Sequence, residues 1–408
     1  MRVVLSTYGS RGDVEPIVAL GLALAGRGAR VHVCAPPDLG WLAEEAGLEF
    51  SGAGRHVQEM ATVAMTGKVK VSLPEITAEL AAAFHEAVRA AAAPAGGAAA
   101  VAVVSAGVIG AQAGARSAAD LLGVPYFGTT FSTNAIPTAE LPPMRWPGQP
   151  APDDAGNEAL WKLNAEHLGT LFGPPVDAQR AAAGLPPAGN VRDHVLGERT
   201  FLASDPVLGP CTPLPGYDVA QTGAWIRPDK RPLPGDVEAF LADGPPPVYA
   251  GFGSMPLRDA AATGRAVIEA VRGAGRRLVL GSGWAGLSGE LTGADDAVLT
   301  IGEVNQQALF PRVAAVVHHG GAGTTTTAAR AGAPQVIVPQ VADQPYWASR
   351  VAELGAGVAH DGPLPTTESL SAALEVALAS RTRDRAAALV PAIRADGAAV
   401  AADLVLGA

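Results

Sequence analysis

The chain has 408 residues, of which 48% are apolar and 17% are charged, and its formal net charge is -10. This length predicts two domains, and this composition excludes an intrinsically disordered protein. The net negative charge argues against binding to nucleic acid, whose phosphates require a basic surface. Two cysteines, Cys34 and Cys211, are too few for a disulfide framework, and we expect both to be small buried side chains.

The N-terminus carries no basic segment followed by a long apolar run, and Arg11 and Asp13 interrupt it early, so we expect no signal peptide. The most apolar stretch runs from Ala98 to Ala115. We interpret it as a buried strand followed by a helix, because Ser105 to Gly107 resembles a strand-to-helix turn. We therefore expect no integral membrane segment and a cytoplasmic protein.

Short β-rich runs alternate with longer helical stretches in the first half of the chain. Val3 to Ser6 and Val31 to Cys34 predict strands, and Pro16 to Arg27 predicts a helix between them. Pro74 to Arg89 predicts an amphipathic helix. The proline-rich stretch from Ile136 to Pro152 is interpreted as a surface loop.

A second series of the same kind begins near residue 248. Its predicted elements are the strands Val248–Phe252, Arg277–Leu280, Val313–Val317 and Gln335–Val338, a helix near Ala260–Ala274 and a helix after Thr324. Alternating strands and helices predict an α/β fold with parallel sheets and helices on both faces.

A stretch from Asp205 to Pro234 separates the two series and is dense in proline. Prolines restrict the backbone and lack an amide donor, so we predict a linker between domains. The halves also echo each other, since Ser6–Ser10 follows the first strand of one and Gly251–Ser254 follows the first strand of the other. Two similar α/β domains would direct their ligand crevices towards a shared central cleft.

The sequence HHGGAGTTTT, residues 318–327, follows an apolar strand. Its glycines let the backbone turn and approach a ligand closely. We expect Thr324 to cap the next helix, whose N-terminus offers free N–H groups and about half a positive charge. His319 can donate a hydrogen bond to the same ligand. A phosphate or pyrophosphate site is predicted, and a capped glycine turn without a ligand is the alternative.

Asp343 and Gln344 follow the predicted strand that ends at Val338. A carboxylate that accepts and an amide that both donates and accepts can bind the neighbouring hydroxyls of a sugar. The alternative is an Asx turn that opens a helix at Pro345.

Asp13 lies between a predicted strand and a predicted helix. It is either a helix cap or a general base that faces the ligand crevice, and the spacing does not separate these interpretations.

Gly281, Gly283 and Gly286 match the pattern G-x-G-x-x-G after a strand. A dinucleotide fingerprint requires a long helix next, whereas Leu287 to Gly293 is broken by glycines. We therefore do not expect NAD or FAD.

Five segments occur in order along the chain: Gly9–Pro16, Val219–Trp225, Glu303–Phe310, the HHGGAGT loop and the Asp343–Gln344 pair. Together they resemble the GT-B glycosyltransferases of family 1. Within that family the chain is most similar to the actinobacterial enzymes that glycosylate glycopeptide aglycones of the vancomycin and teicoplanin type. The similarity is weakest from about Arg55 to Asn157, the part that would line the acceptor side.

The resemblance implies a role for each candidate residue. Asp13 takes the position of the family's proposed general base, with Ser10 and Arg11 beside it. The remaining expected contacts all involve the donor: nucleobase and ribose at Val304 and Gln307; diphosphate at Gly253 and Ser254; phosphates at His319, Gly321, Gly323 and Thr324; and sugar hydroxyls at Asp343 and Gln344.

The resemblance also implies the domain plan of the GT-B fold, two Rossmann-like domains with parallel sheets that face a central cleft. We expect an acceptor-binding domain over 1–204, a linker over 205–234 and a nucleotide-sugar domain over 235–385. Residues 386–408 would form a C-terminal helix that packs back on the first domain.

The implied reaction is a single inverting displacement with a UDP- or dTDP-hexose as co-substrate, without a cofactor. The Asp343–Gln344 pair favours glucose or N-acetylglucosamine as the sugar. No D-x-D sequence is present, so we expect no metal. The expected partners are the nucleotide sugar and a peptide aglycone, with the protein a monomer or weak dimer. The alternatives are a polyketide or macrolide aglycone, a deoxy-aminosugar donor, a nucleotide-sugar epimerase and an inactive helper protein.

Overall fold

The computed structural model describes residues 2–60, 72–93, 100–253, 257, 259–283 and 296–408. The chain divides into two compact units. The first comprises Met1–Arg227 together with Ala395–Ala408, and the second comprises Pro228–Arg394. Each unit is an α/β domain with its own parallel sheet.

The first unit contains, within its described residues, a parallel sheet of seven strands in the order β3-β2-β1-β4-β5-β6-β7. The strands are β1 (Arg2–Tyr8), β2 (Arg30–Ala35), β3 (Glu49–Gly52), β4 (Ala100–Gly107), β5 (Tyr126–Thr130), β6 (Arg199–Leu202) and β7 (Asp218–Gln221). The helices are α1 (Arg11–Ala25), α2 (Trp41–Glu45), α3 (Leu73–Ala92), α4 (Ile109–Leu122), α5 (Asn157–Ala182) and α6 (Val191–Leu196).

The second unit contains, in the part that is described, a parallel sheet of six strands in the order β10-β9-β8-β11-β12-β13. Its strands are β8 (Val248–Ala250), β9 (Leu278–Gly281), β10 (Val298–Ile301), β11 (Ala315–His318), β12 (Gln335–Ile337) and β13 (Gly357–Ala359). Its helices are α7 (Gly235–Ala242), α8 (Ala260–Gly273), α9 (Gln306–Leu309), α10 (Ala322–Arg330), α11 (Gln344–Glu353), α12 (Thr367–Leu378) and α13 (Ser380–Leu389).

Both sheets reverse their strand order at one place, between β1 and β4 in the first unit and between β8 and β11 in the second. At such a reversal the loops after the two strands diverge and leave a crevice at the carboxyl edge, where open α/β sheets bind ligands. The segment after β1 contains Asp13, and the segments after β8 and β11 contain Gly253 and His319. The topology thus places these predicted residues at the two switch points.

The strands form because their apolar runs are buried on both faces, as parallel sheets require. All seven residues of β1 are buried, and β8, β11 and β12 are buried throughout. The predicted α/β fold with parallel sheets is confirmed. The apolar stretch from Ala98 to Ala115 contains β4 and the start of α4, as predicted. Among the described residues, no helix has both the length and the apolar character to cross a membrane.

Two helix starts were predicted wrongly. The helix α1 begins at Arg11, with Ser10 as its cap, so Pro16 lies inside the helix rather than at its start. The helix α10 begins at Ala322, with Gly321 as its cap, so Thr324 is not the capping residue. In both cases the chain turns into the helix directly after the strand, earlier than the most visible sequence signal.

The predicted linker over 205–234 is wrong in its extent, because it contains β7. Residues Asp218–Gln221 pair with Arg199–Leu202 of β6 and complete the first sheet, and the division between the units falls after Arg227. The prolines flank this short strand rather than exclude it. The stretch from Ile136 to Pro152 is irregular, but Ile136 and Thr138 are fully buried, so it is not simply a surface loop.

The C-terminal segment is not one helix over 386–408. The helix α13 ends at Leu389, and a separate helix, α14 (Gly397–Leu406), belongs to the first unit. The two carboxylate oxygens of Asp403 in α14 accept hydrogen bonds from Nε and Nη2 of Arg27, at 2.6 and 3.0 Å. Val405 is fully buried in the core of that unit. Of the two cysteines, Cys34 is buried and Cys211 is half-buried.

Candidate functional site

The first switch point holds Asp13 in the first turn of α1. The Ser10 hydroxyl caps the helix by accepting from the Gly12 amide at 3.2 Å, and it lies 3.4 Å from Asp13 Oδ2. A side chain on Gly9 would collide with Asp13, whose Cβ would be 3.0 Å from the added methyl and whose carboxylate would be closer still. Gly9 therefore leaves the space that this carboxylate occupies, at a helix end that favours negative charge.

The Arg11 side chain contacts Glu15 and Trp41. Its guanidinium donates to Glu15 Oε1 at 2.7 and 3.0 Å and lies over the Trp41 ring, 5.7 Å from the centroid. Arg227 also contacts Glu15, at 3.4 Å. The predicted place of Arg11 next to Asp13 holds in the chain, but its side chain is directed along α1 to Glu15.

The glycine loop after β11 is shaped by close packing. Gly320 has a φ of 95°, which favours glycine, and a side chain there would lie 2.7 Å from Ile337 Cγ2 and 3.4 Å from Gln344 Cβ. A side chain on Gly321 would lie 2.7 Å from His319 Nε2. These two glycines therefore let the loop pass between His319 and the segment of Asp343 and Gln344.

The first turn of α10 presents open donors. Its cap, Gly321, has no side chain to bond them, and the amides of Ala322, Gly323 and Thr324 have no acceptor in the described part of the chain. No described atom lies within 4 Å of the place where a side chain on Gly323 would point. A helix N-terminus of this kind is favourable for an anion.

The four threonines of this helix divide into two groups. Three of them bond back to the carbonyl four residues earlier at 2.8–2.9 Å: Thr325, Thr326 and Thr327. The hydroxyl of half-buried Thr324 has no hydrogen bond within the described residues. It is therefore the one threonine in the helix that remains available to a ligand.

His319 is the first residue of the loop after β11, and its ring lies against the loop that follows β8. Its ring would be 3.5 Å from a side chain on Gly253, which has a φ of 59°. Although the residue is only half-buried, its Nδ1 is inaccessible and has no hydrogen-bond partner in the described structure. Burial lowers the pKa of His319 to about 4. The ring is therefore neutral at physiological pH and carries one N–H that can donate to a ligand.

His318, which the sequence did not single out, is fully buried. Its Nδ1 accepts from the Gly320 amide at 3.1 Å, and its Nε2 lies 2.9 Å from Gln335 Oε1. Burial, and then the neighbouring His319, lower the pKa of His318 to about 3. The doubled histidine is the one sequence feature that could have drawn attention to His318. Its partner Gln335 lies on the neighbouring strand β12, so the sequence does not reveal their contact.

Asp343 and Gln344 open α11 beside the glycine loop. Asp343 Oδ2 accepts from the buried indole N–H of Trp347 at 2.7 Å, and burial raises the pKa of Asp343. Gln344 Oε1 accepts from the amides of Gln340 and Val341 at 2.7 and 3.1 Å. The expectation that the Gln344 amide both donates and accepts is therefore wrong. Its oxygen holds the turn, and only its NH₂ group remains.

Val304 and Gln307 lie around the start of α9. Asn305 caps that helix through Ala308 at 3.0 Å and also donates to the carbonyls of Asp229 and Arg231 at 3.0 and 2.7 Å. Gln307 Oε1 accepts from the Asp229 amide at 3.4 Å, and Gln307 lines a cavity of about 130 Å³ beside α10.

Of the predicted donor residues in the second unit, the structure thus brings together those that follow β8, β11 and β12: Gly253, His319, Gly321, Gly323, Thr324, Asp343 and Gln344. Ser254 lies outside the described residues, as does Gly286 of the G-x-G-x-x-G match.

Two family models match the chain. The model described as "Glycosyltransferase family 28 N-terminal domain" matches residues 3–133. The model described as "Erythromycin biosynthesis protein CIII-like, C-terminal domain" matches residues 287–401. The first covers the switch point with Asp13, and the second covers the glycine loop.

Several relatives from Amycolatopsis orientalis match along nearly their whole length. Glycosyltransferase GtfE is 48% identical, and the match covers 100% of this chain and 98% of the relative. The vancomycin aglycone glucosyltransferase is 46% identical with the same coverage. The dTDP-epi-vancosaminyltransferase is 43% identical over 95% of this chain and 92% of the relative. The chain belongs to the vancomycin-type group of GT-B glycosyltransferases.

Solved structures of other glycosyltransferases have the same fold. The glycosyltransferase of kitacinnamycin has a TM-score of 0.74 at 21% identity, and the match covers 100% of this chain and 98% of that one. Glycosyltransferase VinC, solved in complex with dTDP, has a TM-score of 0.66 at 21% identity, with coverage of 100% and 99%. The resemblance read from the sequence motifs is therefore confirmed for the group and for the fold.

Proposed function

We propose that this glycosyltransferase moves a hexose from a UDP- or dTDP-sugar to a hydroxyl of a glycopeptide aglycone, with inversion at the anomeric carbon. The observation that carries the donor half is the glycine loop. Three amides at the start of α10 and the Thr324 hydroxyl have no acceptor among the described residues, and the neutral His319 ring adds one N–H. A diphosphate supplies the acceptors that this set lacks.

The sugar is proposed to lie against Asp343 and Gln344. One carboxylate oxygen is oriented by Trp347, and the Gln344 NH₂ group remains as a donor. This pair suits a sugar that carries hydroxyls at neighbouring positions. Glucose is therefore favoured, in keeping with the glucosyltransferase among the relatives, and N-acetylglucosamine is the second candidate.

The proposed reaction is one displacement. The carboxylate of Asp13 takes the proton of the acceptor hydroxyl, and the acceptor oxygen forms a bond to the anomeric carbon. The bond between that carbon and the diphosphate oxygen breaks, and the nucleoside diphosphate leaves with the electron pair. Attack on the opposite face turns an α-linked donor into a β-linked product.

The open donors at α10 are proposed to stabilise the charge on the leaving diphosphate without a metal ion. Amide and hydroxyl donors fixed by a helix need no reorganisation as that charge develops. Transfer is therefore expected to continue in EDTA, with UDP and dTDP released as product. A rate that EDTA abolishes and added Mg²⁺ restores would remove this part of the proposal.

A transfer assay with purified protein, UDP- and dTDP-hexoses and glycopeptide and polyketide aglycones tests the function. We expect the aglycone to gain the mass of one hexosyl or N-acetylhexosaminyl residue. A free epimerised sugar without transfer would indicate an epimerase, and sugar-nucleotide binding without any product would indicate a helper protein. Transfer of only an amino-deoxysugar would favour the donor class that the dTDP-epi-vancosaminyltransferase relative is named for.

The role of Asp13 is tested by Asp13→Asn, which keeps the size of the side chain and its place at the α1 N-terminus. We expect the variant to retain donor binding and to lose transfer by at least about 100-fold, because the amide cannot take a proton. Calorimetry with UDP or dTDP, together with turnover at saturating donor, separates the two effects. Turnover near that of the unmodified protein would exclude Asp13 as the base.

A further inference from the structure

A network of three buried hydrogen bonds connects the glycine loop to β12 and to α10. The Gly320 amide donates to His318 Nδ1 at 3.1 Å, His318 Nε2 lies 2.9 Å from Gln335 Oε1, and Gln335 Nε2 donates to the Thr325 carbonyl at 3.3 Å. His318, Gln335 and Thr325 are all at most 1% exposed. This hydrogen-bond network therefore connects β11, β12 and the first turn of α10 in a place that is buried from water.

The two backbone groups at the ends of this network, the Gly320 amide and the Thr325 carbonyl, determine which atom donates in every hydrogen bond. A backbone amide can only donate, so His318 Nδ1 accepts, and the proton of the neutral ring is on Nε2. Gln335 then presents its oxygen to the ring and its NH₂ group to Thr325, whose carbonyl can only accept. A protonated His318 would place an N–H against the Gly320 N–H and break the first bond.

This network fixes the orientation of the Gly320 peptide, and that orientation determines how the loop enters α10. The Gly320 N–H points inward to His318, whereas the amides of Ala322, Gly323 and Thr324 have no acceptor in the part of the chain that is described. The same peptide turns at a φ of 95°. Without an acceptor at His318, the inward N–H would be buried and unpaired, and the loop would rotate to expose it.

We propose that His318 is the positioning residue of the glycine loop, because its Nδ1 accepts the inward Gly320 N–H and thereby orients the amides at the start of α10. This role rests on the proposed binding of the donor diphosphate to those amides. His318 itself is fully buried and touches no ligand in this role. Its burial lowers its pKa to about 3, so the ring stays a neutral acceptor over the whole physiological range.

Two substitutions separate the two ring nitrogens. His318→Asn places an amide oxygen near the position of Nδ1, where it can accept from the amide two residues on, as in an Asx turn. His318→Gln places its amide near the position of Nε2, which keeps the bond to Gln335 but leaves the Gly320 N–H unpaired. Asparagine is one methylene shorter than glutamine, so a general packing defect would be larger in His318→Asn, which is the opposite of the order expected here.

The measurement is calorimetric binding of UDP and dTDP, followed by donor KM and kcat with a saturating acceptor. We expect His318→Asn to bind within about threefold of the unmodified protein. We expect His318→Gln to bind at least about tenfold more weakly, because a buried amide is left without an acceptor. The loss should appear in the donor KM, while kcat at saturating donor changes little.

A third variant keeps the test valid if His318→Gln does not fold. His318→Leu keeps an apolar side chain in this buried place and removes both ring nitrogens, so the Gly320 N–H again has no acceptor. It should weaken UDP or dTDP binding as His318→Gln does. Melting temperatures of all three variants show which of them are folded.

The outcomes distinguish this role from the function it rests on. Equal binding by His318→Gln and the unmodified protein would overturn the positioning role and leave the donor site intact. Equal losses in folded His318→Asn and His318→Gln would also overturn it, since the Nδ1 acceptor would then not be the cause. No binding of UDP or dTDP to the unmodified protein would overturn the donor site itself.

Discussion

At the scale of single residues, the Asp343 carboxylate has one oxygen engaged by the protein. Asp343 Oδ2 accepts from Trp347 Nε1 at 2.7 Å, and Trp347 is 1% exposed. Burial raises the Asp343 pKa, and the indole donor opposes this effect by stabilising the ionised form. The tryptophan therefore both orients the carboxylate and helps to keep it charged.

Trp347→Phe removes this donor and keeps most of the aromatic volume. We expect kcat/KM for the sugar donor to fall about fivefold to twentyfold, because an oriented hydrogen bond to a charged group is lost. Binding of UDP or dTDP, which lack the sugar, should not change.

The matched control is Trp225→Phe in the first unit, whose indole donates to Thr222 at 2.9 Å in a similarly buried place. It should lower stability without changing the donor KM. If Trp347→Phe weakens UDP and dTDP binding as strongly as donor turnover, its effect is on the whole unit and not on the sugar.

At the scale of elements, the N-terminus of α10 has no side chain at its cap position that could accept from the first-turn amides. Gly321 caps it without a side chain, and no described atom lies within 4 Å of the place where a side chain on Gly323 would point. Glycine inside a helix costs about 0.5–1 kcal/mol relative to alanine. Packing against the described residues does not explain this cost, whereas a ligand that approaches the first turn does.

Gly323→Ala should therefore have opposite effects on stability and on function. We expect the free energy of unfolding to stay the same or to rise by about 0.5–1 kcal/mol, since alanine favours the helix. We expect the donor KM to rise at least about tenfold, because the methyl group occupies the approach to the amides. Chemical denaturation and steady-state kinetics measure the two effects.

Gly169→Ala in α5 is the matched control, because no described atom lies within 4 Å of the added methyl there either. It should give the same gain in stability with no change in donor KM. An unchanged KM in Gly323→Ala would show that the space beside this glycine is not used by the donor.

At the scale of the whole molecule, three histidines with lowered pKa values contribute to the response to acid. The pKa values of His318 and His319 are lowered to about 3 and about 4. His194 lies beside α4 and α5, where Arg180 donates to its Nε2 at 3.3 Å. Burial, and then the Arg180 charge, lower its pKa to about 4. All three rings fold in the neutral form.

Stability should therefore fall as the pH is lowered from about 6.5 towards 4. In that window the unfolded chain binds protons that the folded chain does not, so the free energy of unfolding rises with pH and levels off above about 6.5. Asp343, whose pKa is raised, acts in the opposite direction. Urea unfolding at a series of pH values measures the slope.

His194→Asn tests one member of this set away from the donor loop. Removing one group that titrates only in the unfolded chain should reduce the slope by up to about 1.4 kcal/mol per pH unit between pH 4.5 and 6. A slope that is the same in the variant would mean that His194 is already charged in the folded protein.

Some of this protein could be read from its sequence because the signals were local. Val3–Leu5 and Val313–Val317 are continuous apolar runs, which parallel strands buried on both faces require. Glycines directly after such strands marked the loops at Gly253 and Gly320. β7 was missed because Asp218–Gln221 is short and surrounded by prolines, and only pairing with β6 stabilises it as a strand.

The sequence by itself determined the α/β fold, its membership of the glycosyltransferase group and the segments that form the candidate site. The tertiary structure decided which groups in those segments are free. It assigned Ser10 to the α1 cap, the Gln344 oxygen to its own turn and His318 to the Gly320 amide. Among the described residues it left the Thr324 hydroxyl and the first amides of α10 without an acceptor. The physical reason is that a propensity depends on neighbours along the chain. Whether a polar atom is satisfied depends on neighbours in space, which for His318 is a glutamine seventeen residues away on another strand.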